Sequence, residues 1–154
     1  MAKPFRTLIR VRYAECDAQL VVFNARYGDF VDLAVTEYVR VLFGSYQDLM
    51  DGGYDYQVVR LATEYKSPAK FDDVLSISVE VSKLGNTSFT YRLEFREYFS
   101  DRLIAVSEIV YVMMSCPAYE KIPVPDFFRE KLEQGAPGVV VNYAGVALSE
   151  DDAH

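Results

Sequence analysis

The first stretch of the chain alternates between two kinds of side chain. Apolar, Thr or Tyr positions are separated by single residues that are mostly Arg, over Phe5, Arg6, Thr7, Leu8, Ile9, Arg10, Val11, Arg12 and Tyr13. A period of two residues is typical of a β-strand with two different faces. We therefore predict a strand over residues 5–13 with one mostly basic face.

Beyond a loop at 14–23, the period of the pattern changes. Apolar residues now recur at every third or fourth position, at Tyr27, Phe30, Val31, Ala34, Tyr38, Val41 and Leu42. This spacing predicts one buried face of an α-helix of about 20 residues, longer than the usual globular helix. Asn24 is a suitable N-cap for this helix, and Gly44 is a suitable C-terminal stop.

Four more strands are predicted after the Gly52-Gly53 pair. They cover residues 55–66, 74–83, 87–98 and 103–115, and the turns between them contain Ser67-Pro68, Gly85-Asn86 and Ser100-Asp101. A short amphipathic helix around Phe127, Phe128 and Leu132 follows Pro123 and Pro125. This order of elements favours an α+β fold, with a five-stranded antiparallel sheet packed around one long central helix.

The C-terminal part of the chain lacks this patterning. We expect one domain over residues 1–134 and a partly disordered extension over residues 135–154, which ends in a short polar tail. Apolar residues occupy both faces of the last predicted strand, over residues 103–113. A single helix cannot cover both faces, so we expect a homodimer, or a homotetramer built from such dimers.

Composition narrows the range of functions. With 154 residues, 51% of them hydrophobic, the chain suits one compact domain. A net charge of -7 disfavours nucleic-acid backbones and anionic membrane surfaces as partners. No apolar run has the length of a signal-peptide core or a membrane span. Two cysteines in such a chain are expected to be reduced, which predicts a cytoplasmic location.

Few residues are available for catalysis. The sole histidine, His154, is the last residue, which argues against Ser-His-Asp and Cys-His triads and against histidine-based metal sites. No phosphate-binding loop or dinucleotide fingerprint is present. Carboxylates therefore remain as the candidate acid, base or nucleophile. We expect no metal and no cofactor.

Asp17 lies in the loop just before the predicted long helix. Unpaired N–H groups at a helix start carry partial positive charge and can bind a developing oxyanion, beside which a carboxylate can act as nucleophile or general base. The commoner use of Asp at such a position is to cap a turn or a helix. Glu15, Cys16 and Glu37 are weaker candidates: we expect Glu15 to face water, the Cys16 thiol to be deactivated by its carboxylate neighbour, and Glu37 to be solvated or to face a partner chain.

Three segments in order carry a resemblance to a known family. Asp17, Val21, Val22, Phe23, Asn24 and Tyr27 form the first motif, Glu64 to Leu75 with Pro68-Ala69 and Phe71 the second, and Lys83 to Phe89 the third. Together with Ile122-Pro123-Val124-Pro125, they are similar to the 4-hydroxybenzoyl-CoA thioesterase family, which has the hotdog fold and includes the thioesterase associated with the Tol-Pal system. The resemblance covers about residues 5–132.

The resemblance implies a role for particular residues. It places Asp17, Phe23 and Asn24 at the catalytic centre, with Asp17 attacking or activating water and the Asn24 amide polarising the thioester carbonyl. It places the substrate against Leu20, Tyr27, Lys66, Asn86, Thr87 and Ser88, with the pantetheine arm in a tunnel between two subunits. Coenzyme A is then part of the substrate rather than a cofactor.

Two positions depart from the family pattern. Many members have Gly where this chain has Leu20, and many have basic residues at the hairpin where it has Gly85-Asn86. We expect the Leu20 side chain to narrow the acyl pocket or to displace the loop. On that reading, Leu20→Gly would widen substrate range and add backbone freedom that costs about 0.5 to 1 kcal/mol.

Hydrolysis of an acyl-CoA thioester is therefore the favoured function. A hotdog dehydratase is disfavoured because that branch relies on a histidine. The alternative from another class is a non-catalytic module that binds acyl-CoA or acyl-carrier protein, in which Gln19-Leu20 close the path of water.

Overall fold

The computed structural model describes residues 3–153, so the prediction for His154 lies outside the described residues. The strands are β1 (Phe5–Arg10), β2 (Tyr54–Tyr65), β3 (Val74–Leu84), β4 (Ser88–Glu97), β5 (Leu103–Ser115) and β6 (Val140–Asn142). The helices are α1 (Tyr27–Phe43), α2 (Tyr46–Asp51) and α3 (Asp126–Gln134). Three-residue 3-10 turns lie at Tyr13–Glu15, Asn24–Arg26 and Glu150–Asp152. Within these residues, no helix combines the length and the apolarity needed to cross a membrane.

The strands form one sheet in the order β2-β5-β4-β3-β1-β6. The first four pairings in this order are antiparallel, whereas β6 runs parallel to β1. The prediction of five antiparallel strands is therefore wrong in number, because the sheet is a mixed sheet of six strands. Three residues are too few for a period of two to stand out in the sequence, and this is why β6 was missed.

α1 packs across one face of the sheet, as its apolar spacing predicts. Tyr27, Phe30, Val31, Ala34, Tyr38 and Leu42 are all buried, whereas Val41, which the prediction also placed on this face, is exposed. The sheet residues that face them alternate along β4, where Phe89, Tyr91, Leu93 and Phe95 are fully buried. An aromatic layer joins the two elements, since the Tyr38 ring meets the Tyr91 ring edge to face at 5.4 Å.

The two ends of α1 are formed differently. Gly44 ends the helix with a φ of 93°, a conformation that glycine adopts without steric cost, which confirms the prediction for the C-terminal stop. The prediction that Asn24 is the N-cap is wrong. Asn24 begins a 3-10 turn whose preceding residue, Phe23, makes no side-chain cap, and α1 itself starts only at Tyr27. The α-helix is therefore 17 residues long.

The most exposed apolar side chains of the sheet lie on β2, at its edge. β5 runs between β4 and β2, and its Ile104, Ala105, Ile109 and Tyr111 are buried within one chain. β2 is the strand at one edge of the sheet, and it exposes Val58, Val59, Leu61 and Tyr65 by 44 to 60%. Val106, Val110 and Val112 of β5 are half-buried, so apolar side chains are also partly uncovered on the strand expected from the sequence, and their coverage by a partner chain stays a prediction.

The C-terminal segment closes the opposite edge of the sheet, although a frayed end was expected. β6 pairs with β1, and Ala144 is buried against Leu8 and Val74 on the sheet face opposite α1. Tyr143, just after β6, lies close to Glu37 of α1. The boundary between the domain and its C-terminal extension at residue 134 stays a prediction. Residues 140–152 nevertheless contain a strand, a 3-10 turn and buried side chains.

A buried ion pair holds the end of this segment. The Asp152 carboxylate is 1% exposed and accepts hydrogen bonds from the Arg6 guanidinium and from the Tyr98 hydroxyl, the latter at 2.8 Å. Tyr98 in turn accepts from the Ser149 N–H at 3.0 Å, and the Lys3 ammonium lies 3.4 Å from Asp152. Arg6 lies 146 residues from Asp152 along the chain, so no local pattern could reveal the pair.

This cluster makes a prediction about stability. Asp152→Asn should lower the free energy of unfolding by about 3 kcal/mol, near the lower end for breaking a buried ion pair, because the segment can detach and let Arg6 return to water. Urea unfolding of both proteins at neutral pH measures the difference. Asp151→Asn is the matched control, since Asp151 is exposed beside it, and should unfold like the wild type.

The same comparison has a defined pH dependence. Hydrogen bonding from Arg6 holds the pKa of the Asp152 carboxyl well below its usual range, even though burial acts in the opposite direction. A carboxylate whose pKa is lower in the folded protein stabilises it above the unfolded pKa of about 4, and this contribution is lost as the pH falls below that value. The stability difference between wild type and Asp152→Asn should therefore shrink below about pH 4. A difference that is equally large there would contradict the role of the Asp152 charge.

Candidate active site

Asp17 occupies a tight turn that leads toward α1. Cys16 and Val22 form an antiparallel bridge, and the Asp17 N–H donates to the Val21 carbonyl at 2.9 Å. Oδ1 of Asp17 accepts from the Gln19 N–H at 2.8 Å, so the carboxylate does cap the turn. Among the described residues, Oδ2 of Asp17 has no hydrogen-bond donor. The turn role therefore occupies only one carboxylate oxygen and leaves the other for a ligand or a water.

Backbone hydrogen bonds fix this turn against the rest of the protein. The Phe23 N–H donates to the Glu15 carbonyl at 2.9 Å, and the Val22 N–H donates to the Ala69 carbonyl at 2.8 Å. The Phe71 N–H returns a bond to the Leu20 carbonyl at 3.0 Å. The first and second sequence motifs, which are about 45 residues apart in the printed chain, are thereby brought into direct contact.

Glu15 is part of this support and does not face water as expected. Its side chain is buried, and Oε1 accepts from the Arg12 N–H at 2.7 Å while Oε2 accepts from the Arg12 guanidinium at 3.0 Å. The carboxylate therefore closes the 3-10 turn at residues 13–15. An assisting role beside Asp17 would require Glu15 to give up these bonds.

Cys16 is placed unfavourably for nucleophilic chemistry. Its thiol donates to the Arg12 carbonyl at 3.5 Å. Burial, and then the negative charges of Asp17 and Glu15, raise the pKa of the Cys16 thiol above its ordinary value. Because the thiolate is the reactive form, this direction supports the prediction that Cys16 is not the nucleophile.

The 3-10 turn at residues 24–26, which leads directly into α1, offers unpaired donors shortly after the Asp17 turn along the chain. The N–H groups of Asn24 and Ala25 donate to no acceptor among residues 3–153, and both residues are exposed. The Phe23 side chain that precedes them is 47% exposed. Two free N–H groups at a helix start carry partial positive charge and can bind an oxygen that gains negative charge.

The carbonyl of Asn24, by contrast, is fully engaged. It accepts from the Tyr27 N–H and from the Tyr65 hydroxyl, the latter at 3.1 Å. The Tyr65 ring also meets the buried Tyr27 ring edge to face at 5.2 Å. Tyr65 lies within the second motif, at residues 64–75, but the sequence predicts no role for it because only the fold brings β2 next to residue 24.

The other predicted substrate residues fall in three places. Tyr27 is buried beneath the helix start, and Leu20 is half exposed in the Asp17 turn. The Lys66 ammonium lies 3.1 Å from the Glu64 carboxylate just after β2. Asn86, Thr87 and Ser88 lie at the β3–β4 hairpin, which is at the far end of the strands from the Asp17 turn. Within one chain, the structure therefore does not bring the hairpin residues to Asp17.

Glu37 lies apart from Asp17, along α1. Its side chain pairs with Arg40 and lies beside Tyr143, and the Glu37 carboxylate raises the pKa of the Tyr143 phenol. Within residues 3–153, no group of three or more His, Cys, Asp or Glu side chains could hold a metal ion. Asp17 therefore keeps one uncommitted carboxylate oxygen in the segment that precedes the unpaired backbone donors, while Glu15 and Glu37 are committed to structural pairs.

Comparison with known proteins supports the resemblance. Residues 20–98 match the model of the family described as "Thioesterase superfamily". The chain is 38% identical over 91 residues to the acyl-CoA thioester hydrolase YbgC of Escherichia coli O6:H1, covering 58% of this chain and 68% of that one.

Two solved structures illustrate the likeness in fold. A thioesterase-superfamily structure from Jannaschia sp. CCS1 has a TM-score of 0.80 at 22% identity, covering 87% of this chain and 94% of that one. The probable thioesterase YbaW from Escherichia coli has a TM-score of 0.75 at 25% identity, with coverages of 84% and 97%. The predicted hotdog fold is confirmed, with six strands.

The turn geometry makes a prediction about Leu20. Its φ is 61°, a left-handed conformation that is strained for a leucine and unstrained for a glycine. The structure therefore reverses the cost expected from sequence: Leu20→Gly should raise the free energy of unfolding by about 0.5 to 1 kcal/mol. Denaturant unfolding against Leu20→Ala, which keeps the strain, provides the check. A glycine variant no more stable than the alanine variant would refute it.

Proposed function

Because this chain belongs to the thioesterase superfamily, we propose that it hydrolyses an acyl-CoA thioester to a free acid and coenzyme A. The observation that carries the proposal is the Asp17 turn, in which a carboxylate with one uncommitted oxygen lies just before a helix start with two unpaired N–H groups. The acyl-CoA part of the proposal comes from the curated relatives, whose names specify that substrate.

Asp17 carries the attacking step in this proposal. As a general base, its carboxylate takes a proton from water while the water oxygen bonds to the thioester carbonyl carbon. As a nucleophile, it forms that bond itself and gives an anhydride, which water then cleaves. In both routes the carbon–sulfur bond breaks, the coenzyme A sulfur leaves with the electron pair and takes up a proton, and the acid is released.

The 3-10 turn before α1 stabilises the charge that develops on the carbonyl oxygen. The N–H groups of Asn24 and Ala25 are fixed in the protein before the substrate binds, so they need no reorganisation as the oxyanion forms. The exposed Phe23 side chain lies between Asp17 and these donors along the chain and supplies apolar surface against which the acyl thioester can pack. This chemistry requires a carboxylate, water and backbone donors, and coenzyme A is part of the substrate.

The catalytic proposal predicts the effect of one isosteric change. Asp17→Asn should lower kcat by about 10² to 10⁴-fold, because the amide keeps the shape of the side chain and loses the base or nucleophile. Thiol release from a panel of acyl-CoAs, followed with a thiol reagent, measures it. Asp29→Asn is the matched control, since Asp29 is an exposed carboxylate in the first turn of α1.

The outcomes of this assay separate the candidate functions. Near-wild-type turnover by Asp17→Asn would end the case for Asp17. Binding of acyl-CoA by the wild type without any thiol release would instead favour a non-catalytic binding module for acyl-CoA or for an acyl-carrier protein.

The edge of the sheet at β2 supports a homodimer. Among the described residues, β2 pairs only with β5, so one side of this 12-residue strand has no strand partner, beside exposed Val59 and Leu61. Antiparallel pairing of two β2 strands would join the sheets and bring the hairpin at 85–88 of one chain toward the Asp17 end of the other. This would unite the predicted substrate residues that one chain keeps apart.

A negative charge introduced on β2 tests the proposed dimer. Val59 is 60% exposed in the single chain, so Val59→Glu should leave the fold intact and reduce the mass measured by light scattering. Val139→Glu, at the opposite edge of the sheet, should leave the mass unchanged. A wild-type protein with the mass of one chain at micromolar concentration would contradict the proposal, whereas a mass of two or four chains supports it.

A further inference from the structure

We infer that Tyr65 is a positioning residue for hydrolysis, acting through the peptide group that joins Asn24 to Ala25. The inference rests on the proposed function, because it concerns the N–H groups assigned there to the developing oxyanion. Tyr65 lies at the end of β2, and its hydroxyl donates to the Asn24 carbonyl at 3.1 Å. It does not touch the reacting atoms itself.

The argument depends on the planarity of one peptide group. The carbonyl of Asn24 and the N–H of Ala25 belong to the same rigid trans unit and point in opposite directions. A hydrogen bond that holds the carbonyl therefore also sets the direction of the N–H. Since the Ala25 N–H has no acceptor among the described residues, this direction decides where it can donate.

The hydroxyl also affects the strength of that donor. The Asn24 carbonyl accepts two hydrogen bonds, from the Tyr27 N–H and from Tyr65. Each draws electron density toward the carbonyl oxygen, and polarisation of this kind strengthens the N–H of the same unit as a donor. The gain matters most in the transition state, when the substrate oxygen carries the largest negative charge.

The position of the ring is determined independently of the hydroxyl. The Tyr65 ring meets the Tyr27 ring edge to face at 5.2 Å. The Tyr65 backbone is placed by the sheet, where it pairs with Ala105 of β5. Tyr65→Phe therefore removes the hydroxyl and keeps the ring in place. This makes the substitution specific for the hydrogen bond to Asn24.

The test combines turnover with inhibitor binding. Removing a direct oxyanion donor costs about 10² to 10³-fold in kcat, so losing the residue that aims one should lower kcat by about tenfold in Tyr65→Phe. KM should change by less than about twofold, since the effect is confined to the transition state. The inhibition constant of an S-alkyl coenzyme A thioether, which lacks the thioester carbonyl oxygen, should be unchanged.

A tyrosine without this contact provides the matched control. Tyr13 lies near the same turn, is 72% exposed, and its hydroxyl has no hydrogen-bond partner among the described residues. Tyr13→Phe should keep the wild-type kcat. Equal kcat values for Tyr65→Phe and wild type would overturn the inference, as would a parallel loss of thioether binding, which indicates general loosening of the site.

Failure of this inference is distinguishable from failure of the proposed function. An active wild type with an inactive Asp17→Asn and a fully active Tyr65→Phe removes only the role of Tyr65. A wild type that releases no thiol from any acyl-CoA removes the function on which that role depends.

Discussion

The hydrogen bonds that close residues 15–23 on themselves and join them to the loop before β3 are the constraint on which the site depends. The Phe23 N–H bond to the Glu15 carbonyl closes the segment, and the Val22 N–H bond to the Ala69 carbonyl fastens it to the loop before β3. The Arg12–Glu15 pair supports it from one side. With these bonds in place, the Asp17 carboxylate and the unpaired donors at residues 24–25 keep a fixed relation without a side-chain cap on the helix.

The two edges of the sheet differ in whether another part of the chain covers them. β6 and the segment after it cover β1, and the buried Asp152–Arg6 pair holds that cover in place. Among the described residues, β2 at the other edge has no such cover and exposes apolar side chains. An uncovered strand of this length is a template for pairing, which is why we propose that two chains join their sheets there. Tyr65 lies on this strand, so the proposed interface and the turn before α1 share an element.

Much of the fold was predictable from local patterns, and the reasons are physical. The alternation of β4 and the spacing of α1 both reflect burial of one face, which sequence records directly. β6 and the Asp152 cluster were missed because they depend on contacts between residues far apart in the chain. The helix start was misjudged at Asn24, where a 3-10 turn replaces the expected cap. The strain at Leu20 became visible only through its φ of 61°.

The candidate site was predictable only with the help of the family resemblance. Spacing alone favoured a turn-capping Asp17, and the structure shows that bond to Gln19 while leaving the second oxygen uncommitted. The contact between Tyr65 and Asn24 could not be read from the chain, because it joins β2 to the turn before α1. The sequence motif and the family resemblance together located Asp17, and the tertiary structure identified the residues that contact its turn.

The central claim is that the unpaired N–H groups of the 3-10 turn before α1 polarise a thioester carbonyl that Asp17 attacks or hydrates. The most direct measurement is the infrared difference spectrum of an acyl-CoA labelled with carbon-13 at the thioester carbonyl, bound to Asp17→Asn so that it persists. The account predicts that the carbonyl band of the bound thioester lies at lower frequency than that of the same thioester in water. A bound band at the frequency seen in water, or above it, would contradict the claim.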